Sequence, residues 1–281
     1  MALLVDKLGS RSAEHVSTVD AGAVRAYAAA TNDDSSAYRS GEAVPPVFGV
    51  VPTWRCFMDV ASEVVPPELF PMVVHWEHDM HFHQPLRPGL MLVTQAEAYN
   101  VRAGLPGARF TARIESRDAD GAPVLEQYST LLIRGSSGGE STGPDKPPHQ
   151  FPRSARGAAV GELTVHVDDD QTYRYRDASG DEMPIHVDEA FARRVGLPGV
   201  IVHGLCTMAM CSQAVVRTVA GGDPTRVRRL AVRFARPVFP GSDVTTSLYS
   251  AGRRDRVSAY PFEAASSGTV VIKDGLAEVE G

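Results

Sequence analysis

The sequence predicts an α+β fold built as two similar units in one chain, each an antiparallel sheet curled about a central apolar helix. Three features lead there: a helical run beginning at Gly204 that is apolar nearly all round, a series of strand-length segments that alternate apolar and polar residues, and a match between the first and second halves of the chain. A helix with no polar face must be enclosed, and a curled antiparallel sheet encloses it.

The helix is the firmest element. Leu205, Met208, Ala209, Ser212, Val215, Val216 and Val219 keep helical spacing, with Ser212 the small exception, and the run carries almost no charge before Arg217. Upstream, residues 1–20 form a strand or an irregular lead that ends at Asp20, a helix N-cap for the Ala-rich stretch Ala21–Ala30. Residues 73–83 alternate strictly, placing Val74, Trp76, His78, Met80 and Phe82 on one face and His75, Glu77, Asp79, His81 and His83 on the other. The histidine spacing fits no zinc site, so a solvated or interface-facing strand is expected and no metal. Residues 91–99, 109–116 and 124–133 read as further strands, the last two joined at Asp120-Gly121. Residues 135–150 are a flexible Gly/Ser/Pro linker. Within it, Gly135-Ser-Ser137-Gly-Gly139 satisfies the serine-hydrolase pattern, but no helix can follow, so Ser137 is a compositional accident. The second half repeats the plan with a segment at 166–178, a short helix at 188–196, the apolar helix, and strands around 227–234, 244–249, 257–264 and 269–272, with Asp274-Gly275 marking a hairpin.

The repeat is visible residue by residue. Tyr27-Ala-Ala-Ala-Thr-Asn-Asp33 aligns without a gap with Tyr175-Arg-Asp-Ala-Ser-Gly-Asp181, and Phe82-His-Gln-Pro85-Leu-Arg-Pro88-Gly89 aligns with Phe234-Ala-Arg-Pro237-Val-Phe-Pro240-Gly241. Tyr38 stands where the second half has His186. The expected organisation is therefore a degenerate unit at 1–134, the linker at 135–150, and a catalytic unit at 151–281.

Composition narrows the function. With 28 basic and 34 acidic residues the formal charge is −6, and no stretch interleaves cations with aromatics, so no nucleic acid partner is expected. No signal segment and no apolar run long enough to span a membrane is found, which points to a soluble cytosolic (cytoplasmic) protein. Cys56, Cys206 and Cys211 have no CxxC spacing and read as buried free thiols. No nucleotide-binding glycine motif follows a strand.

The chemistry-bearing stretch is Asp181 to Gly204. Pro184 biases Met183 toward extended geometry, so a rigid bend separates Asp181 from His186 and can aim both at one point, as general acid–base catalysis requires. An isolated Asp and His at this spacing otherwise form a surface ion pair or a turn. The helix that follows favours chemistry, because Gly204 lets a ligand approach its free N-terminal amides, which suit a developing oxyanion.

These residues carry a family resemblance. Tyr175-Arg-Asp-Ala-Ser-Gly-Asp181-x-x-Pro184-Ile-His186, then Pro198-Gly199-x-x-x-His203-Gly204, resembles the type 2 (R-specific) enoyl-CoA hydratases of the MaoC-like group, and the segment Phe234 to Gly241 looks like that family's strand and turn after the central helix. The resemblance implies a double hot-dog fold with two sheets joined edge to edge, a homodimer, and a place in fatty acid metabolism. It also implies an acyl-CoA thioester substrate, with hydration of trans-2-enoyl-CoA to (R)-3-hydroxyacyl-CoA or the reverse and no metal or redox cofactor. Asp181 and His186 would be catalytic, and Gly204, His203 and Met183 would contact substrate. Met183 departs from the family, which usually has Asn there. The degenerate first half implies room for a medium or long acyl chain. A thioesterase, or a noncatalytic or partner-dependent acyl-CoA binder, are the alternatives on the same fold.

Overall fold

The computed structural model describes residues 2–136, 139–151, 155 and 157–281; Ser137 lies outside the described residues. The N-terminal half supplies β1 (His15–Thr18), α1 (Ala21–Ala30), α2 (Ser36–Ser40), α3 (Trp54–Val64), β2 (Val73–Phe82), β3 (Met91–Arg102), β4 (Gly107–Arg117) and β5 (Pro123–Arg134). The C-terminal half supplies β6 (Gly161–His166), α4 (Gln171–Ser179), α5 (Glu189–Arg194), α6 (Gly204–Thr218), β7 (Val227–Phe234), β8 (Asp243–Leu248), β9 (Arg253–Arg254), β10 (Val257–Ser266) and β11 (Thr269–Glu280).

Local chemistry explains the elements. Asp20 Oδ1 accepts from the Ala23 amide at 2.7 Å and caps α1, as its position predicts. Every side chain of α6 from Leu205 to Val216 is buried. A fully buried side chain such as Met208 contributes about 1.5–3 kcal/mol, so α6 is the anchor of its half. It packs on β6, β7 and β8, while α3 packs on β3 and β4. The core around α6 also takes in Tyr27, Val47 and Phe48 from the first half, so the two units share apolar surface. Tyr27 and Tyr175, which the sequence repeat equates, meet there with ring centroids 5.6 Å apart.

All strands join in one antiparallel sheet ordered β1-β3-β4-β5-β2-β7-β11-β10-β8-β6, with β9 paired to β10. This is the double hot-dog arrangement, its two arcs meeting edge to edge at β2 and β7. The register there pairs Asp79 with Ala231, residues that the Phe82/Phe234 match makes equivalent, so a pseudo-twofold axis passes between them.

Three local readings change. The Asp274-Gly275 step is not a hairpin: β11 runs through it with a register shift between Lys273 and Leu276, and the turn between β10 and β11 lies at Ser267-Gly268, both at positive φ. Strict alternation in β2 fails because the pairing with β5 shifts between His75 and Glu77, and the consecutive residues His78, Asp79 and Met80 are all buried. The strand faces the joint between halves, the interface-facing one of the two expected placements. Residues 139–150 are not a loose tether. Thr142 bridges to Val101, Lys146 Nζ lies 2.8 Å from Glu77, and His149 Nδ1 donates to the Asp274 carbonyl, making a strap across the joint.

The joint holds a buried ion pair. Arg229 on β7 donates from Nε and Nη2 to Asp79 on β2 at 3.0 and 2.7 Å, and from Nη2 to the Pro148 carbonyl of the strap. Burial alone raises the Asp79 carboxyl, but hydrogen bonds from His81 and Arg229 outweigh it and hold the group far below its ordinary 3.8. Because the folded value is depressed, the stability this pair contributes is present above pH 3.8 and drains away as pH falls toward the folded value. Asp79→Ala strands a guanidinium whose side chain is only 11% exposed, and we expect a loss of about 3–5 kcal/mol in urea unfolding, with a shallower acid limb than the parent protein. An unchanged midpoint and acid limb would refute this account of the joint.

Candidate active site

The site begins where α4 stops. Gly180 takes the left-handed conformation, φ 77°, and its amide donates to the Arg176 carbonyl, a glycine C-cap that turns the chain out of the helix. Asp181 follows, and its Oδ1 accepts from the Met183 amide at 3.1 Å. Met183 is extended ahead of Pro184, which opens the 3-10 turn Pro184–His186. The expected bend is therefore present, and it brings His186 back toward Asp181.

His186 Nδ1 donates to the Ile201 carbonyl at 2.7 Å, which leaves Nε2 with its lone pair. His203 stacks on the same ring, centroids 3.8 Å apart and planes 24° from parallel. Its Nε2 donates to the Asp181 carbonyl at 3.1 Å. Among the described residues, Asp181, His186 and His203 form a group whose ligand atoms lie within 4.8 Å of one another, a spacing that could hold a metal ion. It is also a span that one water molecule bridges by two hydrogen bonds.

The surroundings set the proton affinities. Burial raises the Asp181 carboxyl, opposed by the nearby His186 and the Met183 amide. Burial lowers His186 from its ordinary 6.5, opposed by Asp181 and the Ile201 carbonyl, and lowers His203 further, with His186 adding to the effect. At neutral pH both imidazoles are neutral, and His186 is an acceptor.

Asp181, His186 and Gly204 open on a cavity of about 370 Å³. Its walls come from both halves: Val74, His75, Trp76 and Leu132 from the first, and Leu197, Leu205, Phe234 and Ile272 from the second. Gly204 is the first residue of α6, so its amide has no partner within the helix, and a Cβ there would come within 3.1 Å of the Phe234 ring. A larger residue there would have to push the Phe234 ring aside by a few tenths of an ångström. Two expected substrate contacts fall elsewhere. His203 does not line the cavity and instead buttresses His186 and the Asp181 backbone, and Met183 does not line it either, contributing its amide rather than its side chain. His75 was missed. It lines the cavity, bonds Ser129 Oγ at 3.2 Å, and packs on Phe234 with centroids 4.9 Å apart. The register shift in β2 that turns it inward has no signature in the strand's own sequence.

The family pattern described as a MaoC like domain matches residues 153–267, and that described as the MFE-2 hydratase 2 N-terminal domain matches residues 37–135. The 3-hydroxyacyl-thioester dehydratase Y of Mycobacterium tuberculosis is 30% identical over 213 residues, covering 73% of this chain and 72% of that protein. The chain belongs to the MaoC-like dehydratase family. A relative in Dictyostelium discoideum, described as a probable enoyl-CoA hydratase 2, is 27% identical over 84% of this chain and 80% of its own length. The crystal structure of a MaoC-like dehydratase from Phytophthora capsici shares the fold with a TM-score of 0.86 at 24% identity, over 99% of this chain and 97% of that one.

Within this MaoC-like frame the first half has closed its own site. The hollow beside Phe82, Pro85 and Leu86, the counterparts of Phe234, Pro237 and Val238, measures about 10 Å³. Gly49 ends the segment 45–49, which stands where 198–204 stands in the second half, and Leu125, Met80 and Leu86 crowd the position of a Cβ on it. Asp33, the counterpart of Asp181, accepts from Arg217 Nη2 at 3.0 Å, and Tyr38 is buried.

Because the Met183 side chain is not part of the cavity wall, Met183→Asn is expected to change hydration of straight-chain enoyl-CoA by less than about twofold, the range of substitutions away from packed or paired groups. A several-fold gain or loss in kcat/KM would place the side chain at the substrate.

Proposed function

We infer that this enzyme is an (R)-specific enoyl-CoA hydratase in which Asp181 and His186 move the protons and the Gly204 amide holds the thioester oxygen. The reaction is the reversible addition of water to trans-2-enoyl-CoA, giving (R)-3-hydroxyacyl-CoA. The observation that carries the residue assignment is the fixed tautomer of His186 beside a buried carboxyl at the wall of a largely apolar cavity.

The chemistry follows from the proton affinities. A water bonded to both groups gives a proton to His186 Nε2 as its oxygen joins C3 of the enoyl group. The carboxyl of Asp181, whose protonated form burial favours, starts as the acid and supplies the proton that C2 takes up. Proton exchange between the two groups then restores the site. Negative charge passing onto the thioester oxygen meets the Gly204 amide at the start of α6, and such a donor is worth about 3 kcal/mol in the transition state. His203 fixes the ring plane of His186 and the backbone of Asp181.

The cavity supports a medium or long acyl chain. Its volume lies within the roughly 300–1,000 Å³ usual for small-molecule sites, and Val74, Leu132 and Ile272 give it apolar walls. Among the described residues no helix is long and apolar enough to cross a membrane. We place the reaction in the cytosol, supported by Cys56, Cys206 and Cys211 all being free and buried, and we take the working form to be a homodimer.

Asp181→Ala and His186→Ala are each expected to cost at least about 100-fold in kcat on the preferred enoyl-CoA, with folding retained by circular dichroism. The acid limb of kcat/KM should lie below pH 6.5, because burial lowers His186 and only its neutral form accepts a proton. Across a series of enoyl-CoA lengths kcat/KM should rise beyond four carbons, and release of free thiol should stay at background. Near-normal hydration by either variant overturns the residue assignment, and thiol release without enone loss favours thioester hydrolysis.

A further inference from the structure

A second cavity, of about 440 Å³, lies beneath the strap in the N-terminal half and plays no part in the hydration chemistry. Its floor is a row of polar residues facing one another across four strands. Asn100 on β3 pairs with Thr111 on β4, Thr111 with Thr130 on β5, and Thr130 with Glu77 on β2. Beside that row, Arg102 and Arg109 stand directly opposite each other on β3 and β4. Like charges in that relation repel, so each needs an anion or a strong acceptor. Arg102 has them: Nη1 donates to the Thr142 carbonyl, and Nη2 to the carbonyls of Gly143 and Pro144 and to Asp145. Arg109, half-buried in the same wall, makes no side-chain hydrogen bond or ion pair among the described residues. The other charges are already neutralised, Lys146 by Glu77 at 2.8 Å and Asp145 by Arg102 at 2.7 Å.

Asn100 is the second observation. Its Nδ2 donates to the Pro144 carbonyl at 2.8 Å, which fixes the orientation of the amide. Its Oδ1 is buried and has no partner, in a residue only 2% exposed. A buried acceptor left unmatched is costly, so this atom calls for an O–H or N–H donor. Thr111 and Thr130 share one hydrogen bond between their hydroxyls at 3.0 Å, leaving one hydroxyl hydrogen available.

We propose that this cavity is a binding site for a small hydroxylated anion, its charge on Arg109 and its hydroxyl donating to Asn100 Oδ1. A carboxylate or a phosphate satisfies Arg109 equally, and both sources keep the same chemistry: an anionic group with a hydroxyl a few atoms away. Asp145, in the wall of the cavity, has a side chain 95% exposed. The site is separate from the enoyl-CoA cavity and shares no lining residue with it.

Calorimetric titration of the full chain tests this with four probes: glycerol 3-phosphate and lactate carry both groups, acetate only the charge, and glycerol only hydroxyls. At least one of the first two should bind one to one, and at least about tenfold more tightly than acetate or glycerol, the difference one hydrogen bond to a charged or buried group makes. Binding of glycerol 3-phosphate alone assigns the site to phosphates, and of lactate alone to carboxylates. Arg109→Gln should weaken the preferred probe at least about tenfold while leaving hydration of enoyl-CoA unchanged, and Thr111→Val serves as a second variant should the first fail to fold. The proposal is overturned if none of the probes binds at millimolar concentration, if acetate or glycerol binds as well as the hydroxylated anions, if the variants bind normally, or if an enoyl-CoA displaces the probe.

Discussion

The pairing of β2 with β7 is the constraint on which the rest of the molecule depends. It makes one sheet from two arcs, and the cavity beside Asp181 and His186 is assembled across it, with Val74, His75 and Trp76 from one strand and Phe234 from the other. A slip of one residue would turn every side chain on β2 to the opposite face. In that register Asp79 and Arg229 would each be buried without the other, which is far more costly than the pair is favourable. The ion pair therefore acts less as a source of stability than as a penalty on every other register. The strap reinforces it by placing the Pro148 carbonyl on Arg229 and Lys146 on Glu77 of the same strand.

Near-symmetry at the joint makes the asymmetry of the sites informative. The same framework gives about 370 Å³ of open cavity on one side and about 10 Å³ on the other. The difference arises from side chains rather than backbone plan. Leu125, Met80 and Leu86 occupy the space beside Gly49, Asp33 is turned to a structural use with Arg217, and Tyr38, which the repeat aligns with His186, is a buried ring that cannot accept a proton in the same way. The closed half contributes Val74, Trp76 and Leu132 as wall to the cavity that opens at Asp181 and His186.

Much of this was legible in the sequence because it rests on local rules. The apolar run of α6, the Asp20 cap and the Pro184 bend each follow from the residues present, the repeat gave the two-unit plan, and the edge-to-edge joining came with the family resemblance. What escaped depends on partners distant in the chain. Asp274-Gly275 supplies the positive φ that a hairpin wants, yet a bulge wants it too, and only the pairing with β7 and β10 decides between them. The inward turn of His75 comes from a shift against β5. The strap looked flexible because its glycines and prolines are those of a linker, while its hydrogen bonds are to Val101, Asn100 and Arg102, more than thirty residues away in the chain. Met183 shows a finer limit: Pro184 fixes its backbone, but nothing local fixes where its side chain goes.

The stacked histidines tie this framework to the reaction. His203 is buried, and a proton on it would face one on His186 across a ring separation of 3.8 Å, so the two cannot both be charged. Since burial disfavours charge on His203 more strongly, it stays neutral and any proton in the pair resides on His186. That proton is itself held weakly, opposed by burial and favoured mainly by Asp181. An imidazole that accepts a proton only while a carboxylate beside it has given one up returns it as soon as the carboxylate is free to take it. In the proposed mechanism the same buried pair serves both directions of the reaction, and what holds it in register is a backbone carbonyl on each ring, Ile201 for His186 and Asp181 for His203.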